Sequence, residues 1–366
     1  MKKYFSILTL TKGGFGLLFV FAISFLFSGC DQKKDGINSD TTFFNFSSKK
    51  DCDDIDISKI KQDINITRLE DQIISFKTQD DVTNFLTKYP SITSQFLMED
   101  KYPKGVVSKN LYLLSQDTAI KAMYDQVKEK YGDMKEIELQ FSEAFAHVLY
   151  YYPDFKIPKI YTIISGLGIE TFVSDSIIVL SLDYFIGPDA KYKPRDPNGQ
   201  IFPDYILRRY QKPYIVPACM LYISNKYNKV DMLDNTLLAE MVYYGKAYKF
   251  VKTMMPCIND TLIIGYTGEQ MKNTRSHETV IWGHLIERKA IYETSHFIKT
   301  KYTGERPYTA EIGPKCPGKI GTWLGWRIVN KYMLSHPDSS FQNIMRATNS
   351  KKLFIESKYK PEDVKN

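Results

Sequence analysis

The chain has 366 residues, of which 43% are hydrophobic and 25% charged, and its formal net charge is +7. This is the composition of a globular protein long enough for one large domain or two smaller ones, and it excludes a largely disordered chain. No basic block is long enough to suggest nucleic acid as a partner.

The N-terminus carries Lys2, Lys3 and Lys12, then an apolar run from Phe15 that closes on Ser28-Gly29-Cys30. A basic start, an apolar stretch and a small-small-cysteine junction predict a lipoprotein signal peptide over residues 1–29, with Cys30 as the lipid-bearing first residue of the mature protein. Phe27 stands where leucine is usual, with Leu26 beside it. An uncleaved anchor helix is the competing reading, but the run is short for a membrane span and polar sequence follows it. Either way, the rest of the chain is expected outside the cytoplasm, held to a membrane of the cell envelope and facing the periplasm or the cell surface. Removing residues 1–29 takes away three lysines and no acids, so the charge falls from +7 to +4.

Residues 30–62 alternate acids, lysines and small polar residues, with Phe43, Phe44 and Phe46 as a local apolar cluster. So little apolar surface cannot offset the entropy of ordering, which predicts a flexible tether from Cys30 to a single domain over residues 63–366. Four more cysteines follow, Cys52, Cys219, Cys257 and Cys316. An even number in an oxidising compartment permits disulfides, but wide spacings and the lack of a CxxC pair leave buried free thiols equally open. No second apolar run reaches membrane-spanning length, so the lipid is the expected anchor.

Within the domain, Ile66, Leu69 and Ile73 fit a short strand leading into a helix, and Asp80 to Tyr89 reads as a helix opened by acids and stopped by Pro90. Residues 110–130 and 134–151 predict long amphipathic helices, the second with a core stripe of Phe141, Phe145, Val148 and Leu149. The β-branched runs 159–164 and 177–182 predict strands, with Gly166, Gly168 and Ser174-Asp175 as turns between them. Gly166-x-Gly168 is not a phosphate loop, because Thr171 holds the next glycine position and no helix pattern follows. After a loop rich in proline and charge (187–198), helical patterns cover 204–226, 232–253, 268–295 and 318–334. The expected fold is α+β, a helix-rich domain around a small β-sheet.

The segments LDYFIGPDAKY (182–192), PDYILRRYQKPYIVP (203–217), LLAEMVYYGKAYKF (237–250), IGYTGEQ (264–270) and IWGHLIERKAIYET (281–294) occur in that order. PGKIGTWLGWRIVNKYM (317–333) and SKYKPE (357–362) follow. In order and spacing the chain resembles the gliding motility-associated lipoprotein GldB family, from about Arg68 to Pro361, and the block beginning at Pro317 is the most specific part. The resemblance implies an envelope lipoprotein of gliding or related secretion machinery, and Cys30 matches the family's lipid attachment. That family is in turn similar to predicted HExxH zinc peptidases, which implies a zincin-like core.

HExxH places two histidines on one helical face to share a zinc, while the glutamate activates the bound water. The aligned pentapeptide here is Ala239-Glu240-Met241-Val242-Tyr243, so the glutamate stands and both metal ligands are replaced. Glu240 is expected to pair with Lys246 or Lys249 on its own helix. His277 and His284 lie seven apart on one predicted helix, a rise of roughly 10 Å and too far to share a zinc. His284 and Glu287 form an i, i+3 pair without a third ligand, which surface hydrogen bonding explains better. No nucleophile elbow, Ser-xx-Lys pair or catalytic cysteine signature is present. The sequence therefore assigns no catalytic residue, no metal and no cofactor.

The block from Pro317 to Met333 reads as packing. Pro317 suits a first helical turn, Gly318, Gly321 and Gly325 share nearly one side where another backbone can approach, and Trp323, Leu324, Ile328 and Tyr332 add apolar mass. With 26 Tyr and 22 Phe, pairs such as Tyr151-Tyr152 and Tyr243-Tyr244 keep a glycan-binding surface lipoprotein open as one alternative. A divergent metal-dependent hydrolase is the other. The preferred reading is a non-catalytic envelope lipoprotein, a pseudoenzyme scaffold anchored to the membrane through Cys30 that binds envelope protein partners.

Overall fold

Parallel strands covered on both faces need apolar side chains at consecutive positions, and the runs at 159–164 and 177–182 supply them. The computed structural model describes Cys52 and residues 55–361, all within one unit, Lys50–Asn366. The chain enters through β1 (Ile66–Arg68) and passes directly into α1 (Leu69–Ile74), followed by α2 (Gln79–Lys88), α3 (Val106–Gln116), α4 (Thr118–Tyr131) and α5 (Lys135–Tyr151). Thr78 opens α2 with a capping box, its hydroxyl accepting from Asp81 N–H while the Asp81 carboxylate accepts from Thr78 N–H. The single helix predicted over 110–130 is two. Asp117 leaves helical geometry to cap α4, accepting from the N–H groups of Ala119 and Ile120.

β2 (Lys159–Ile163), β3 (Thr171–Val173) and β4 (Ile177–Ser181) complete a four-stranded sheet in the order β1-β2-β4-β3. β1 and β4 run parallel to β2, with Ile66 opposite Ile160 and Val179 opposite Tyr161, and β3 returns antiparallel to β4. Alternation sorts the side chains: Ile160, Ile178 and Leu180 enter the larger apolar cluster, whereas Tyr161, Ile163, Ile177 and Val179 enter a smaller one under α1–α3. The sheet is thus a middle layer. Two buried carboxylates fasten it. Glu70 at the start of α1 pairs with Arg68 Nε at 2.7 Å and accepts from Thr162 Oγ1 at 2.7 Å. Asp183, just after β4, accepts from the N–H groups of Ser165 (3.2 Å) and Leu167 (2.7 Å), and burial raises its carboxyl to about 6.

The second half is helical: α6 (Asp204–Leu207), α7 (Ile215–Tyr227), α8 (Leu237–Met254), α9 (Asp260–Ile264), α10 (Gly268–Ser276), α11 (Glu278–Glu287), α12 (His296–Thr303), α13 (Ile320–Ser335), α14 (Phe341–Arg346) and α15 (Ser350–Ser357). Thr236 caps α8, so that helix begins five residues later than its apolar pattern. His277 interrupts the pattern over 268–295 as the junction of α10 and α11. α8 and α13 cross where Gly245 meets Gly325. A Cβ on Gly245 would overlap the Gly325 carbonyl and lie 2.8 Å from Trp326 N. This is the close backbone approach that the glycine spacing predicts, and Gly318 likewise rests on the carbonyl of Arg306. Pro317 is not in the helix, however: it pairs with Tyr308 as an isolated bridge, and Lys319 at φ 58° turns the chain into α13.

Cys52 is bonded to Cys257, between α8 and α9, across 205 residues, while Cys219 and Cys316 are free and buried. Lys61 pairs with Glu143 at 3.5 Å, and the Ser142 hydroxyl donates to the Gln62 carbonyl. These contacts join Cys52, Lys61 and Gln62 to the helical body. Cys30 and residues 1–29, read above as a signal peptide, lie outside the described residues. Among the described residues, no helix is long and apolar enough to cross a membrane.

Candidate functional site

The α8 face that would carry an HExxH motif is committed to other bonds. Tyr243, at the second histidine position, donates its hydroxyl to Asn225 Oδ1 on α7 at 2.6 Å. Glu240 accepts from Thr303 Oγ1 at 2.6 Å and pairs with Lys299 Nζ at 3.3 Å, both on α12. The expected partners on its own helix are wrong. At 100° per residue, Lys246 and Lys249 lie about 120° and 180° round the helix from Glu240. Lys246 is instead fully buried, its ammonium donating to the carbonyls of Lys229 (2.6 Å), Ala347 (2.7 Å) and Met345 (3.4 Å). Burial lowers that lysine to about 8.

A methyl group, a hydrogen-bonded phenol and one tied carboxylate do not fit the zinc that the likeness to peptidases implies. Among the described residues, no three His, Cys, Asp or Glu side chains gather into a set that could hold a metal ion. His284 makes the kind of hydrogen bond expected of it, Nε2 lying 3.3 Å from the Tyr302 hydroxyl, and burial lowers its pKa. His277 does not share a helix with it and spends Nδ1 on the Asn273 carbonyl at 2.8 Å. Tyr151-Tyr152 and Tyr243-Tyr244 pack against neighbouring rings. Tyr152 stacks face to face on Tyr227 with centroids 3.7 Å apart, and Tyr243 meets Tyr244 edge-on at 5.3 Å. Arg327 lies over the Trp323 ring at 5.8 Å and pairs with Glu278 at 2.9 Å.

A second place was not legible in the sequence. A cavity of about 290 Å³ opens between the segment joining α6 to α7, the body of α7, α8, α9 and the start of α13. Its charged groups are Glu170, Arg209, Glu305 and Lys319, with Tyr210, Tyr214 and Tyr248 among its walls. Arg209 Nη1 donates to Glu305 at 2.9 Å, and Lys319 Nζ donates to the Ile264 carbonyl at 2.7 Å and lies 3.7 Å from Glu305. Burial, reinforced by the Arg209 charge, lowers Lys319 to about 8, and burial pushes the Tyr248 phenol up to about 12. Gly265 at φ +81° lets the Arg209 side chain pass, since a Cβ there would overlap Arg209 Cδ.

These features define a helix-rich α+β protein around a four-stranded sheet, with Glu240 and Tyr243 of α8 held in hydrogen bonds to α12 and α7. A family model described as gliding motility protein GldB matches residues 50–361, and the chain belongs to that family. No curated protein and no solved structure matches it. Membership supports a part in gliding motility.

Proposed function

We propose that this protein is a non-catalytic, lipid-anchored component of the cell envelope that serves gliding motility, or related secretion machinery, by binding partner proteins. The α8 face carries this reading. With Ala239 and Tyr243 in the two histidine positions and Glu240 held by Thr303 and Lys299, no general base stands over a metal-bound water. The Cys52–Cys257 disulfide supports a location outside the cytoplasm, where such bonds persist. Lipid on Cys30 would supply the anchor, and more than one acyl chain is needed to make it stable.

Elemental analysis of dialysed protein and a peptide-library digest test the non-catalytic part. Stoichiometric zinc, or chelator-sensitive cleavage that Glu240→Gln abolishes, overturns it. Cross-linking in membranes followed by mass spectrometry tests the binding part, and the same envelope proteins are expected with Glu240→Gln as with the unaltered chain. Metabolic lipid labelling tests the anchor: label is expected on the unaltered chain and lost with Cys30→Ala.

A further inference from the structure

We infer that the cavity lined by Arg209 and Lys319 is a binding site for a carboxylate carried on a small apolar body, such as an aromatic or aliphatic acid or the hydrophobic C-terminal residue of a peptide. Unmet hydrogen-bonding capacity decides the sign of the ligand. Arg209 Nε is buried and has no acceptor, although Nη1 of the same guanidinium is used by Glu305. Lys319 makes a single hydrogen bond, to Ile264 O, and Glu305 at 3.7 Å is beyond hydrogen-bond reach. Glu170, the other carboxylate of the lining, already accepts from the Tyr222 hydroxyl at 3.0 Å. Both carboxylates of the lining thus carry a partner, while the buried Arg209 Nε donor has none.

A guanidinium fork beside an ammonium suits a carboxylate. Tyr210, Tyr214 and Tyr248, with Ile263 beside them, give the remaining wall an apolar and aromatic character. About 290 Å³ is room for a group the size of one amino acid, near the lower end for ligand cavities. Two backbone features hold the cations in place. Lys319 takes left-handed geometry at φ 58°, which sets the direction in which its side chain leaves the start of α13. Gly265 in turn leaves the space that Arg209 Cδ occupies. A bound anion would also stabilise the charged form of Lys319, which burial disfavours. The cavity is separate from the α8 face at Glu240, so failure here leaves the reading above standing.

The test is calorimetric titration of the full-length protein in mild detergent. The probes are 3-phenylpropionate, its uncharged analogue 3-phenylpropanamide, and a tetrapeptide ending in phenylalanine with a free or an amidated C-terminus. The free acids are expected to bind at least about tenfold more tightly than the amides, and Arg209→Gln to erase that preference. Near pH 8.5, acid binding should take up protons, read from the dependence of the heat on the buffer, and Lys319→Met should abolish the uptake. Tighter binding of the peptide acid assigns a chain end as the natural ligand, and tighter binding of the free acid assigns a small molecule. Equal binding of acids and amides, no binding of either acid at millimolar concentration, or an unchanged preference in a folded Arg209→Gln protein overturns the inference. Should Arg209→Gln fail to fold, the proton uptake and its loss in Lys319→Met decide alone.

Discussion

Gly325 on α13 lies directly against the main chain of Met241 on α8, so that a Cβ at position 325 would overlap the Met241 carbonyl oxygen. Both atoms belong to helix backbones, and neither can step aside as the end of a flexible side chain would. Gly325→Ala is therefore expected to lower stability by about 3 kcal/mol or more, although alanine is the better helix former by about 1 kcal/mol. Gly268→Ala is the contrasting case, because a Cβ there meets nothing within 4 Å. Its urea midpoint should stay close to that of the unaltered protein, while that of Gly325→Ala drops.

The disulfide gives a second prediction. Cys257→Ser frees a loop of 205 residues and should cost about 2–5 kcal/mol in denaturant unfolding. Peptide mapping without reduction should recover Cys52 joined to Cys257. Cys219 and Cys316, whose thiols burial pushes up, should react with an alkylating reagent only after unfolding.

Asp183 sets a pH dependence with a defined sign. Its folded carboxyl titrates near 6 against an ordinary 3.8, so the folded state binds more protons between those values. The contribution is full below about pH 4 and is lost as pH rises through 6. Stability measured relative to Asp183→Asn should fall by about 2 kcal/mol from pH 4 to pH 7, most of what the shift allows. A difference that is flat or rising over that range would show that Asp183 is ionised when folded.

Lys246→Met tests the three-carbonyl cage. The thioether fills most of the volume but takes the ammonium from the carbonyls of Lys229 and Ala347, while the Met345 carbonyl keeps the Lys229 N–H at 2.9 Å. A loss of about 2–4 kcal/mol is expected. Faster hydrogen exchange should appear at the C-terminal end of α14 and the turn after it, where Met345 and Ala347 lie.

Much of this was written locally in the chain. The strand runs at 159–164 and 177–182, the helix over 134–151 and the glycine face of α13 all follow from patterns spanning one element. The errors share a cause. Asp117 and His277 end helices through backbone geometry that an apolar stripe does not record. The short helices α12, α14 and α15 rest on packing more than on propensity, and no pattern announced them. Glu240 found Lys299 on another helix, Cys52 found Cys257 across most of the domain, and the cavity joins residues from Glu170 to Lys319. Such pairings depend on where helices cross, which the sequence encodes only through the whole fold.

The position of the disulfide also fixes how the domain would bear tension. Without it, a pull on the chain preceding Cys52 would pass the Lys61–Glu143 pair and the Gln62–Ser142 hydrogen bond to β1, a three-residue strand at the edge of the sheet, whose few hydrogen bonds to β2 could open one at a time. With Cys52 bonded to Cys257, the covalent path bypasses that edge and delivers the load to the turn after α8, next to the helix that Gly245 and Gly325 lock to α13. Force then meets an interlocked pair of long helices, loaded in bulk, where the edge strand would have peeled.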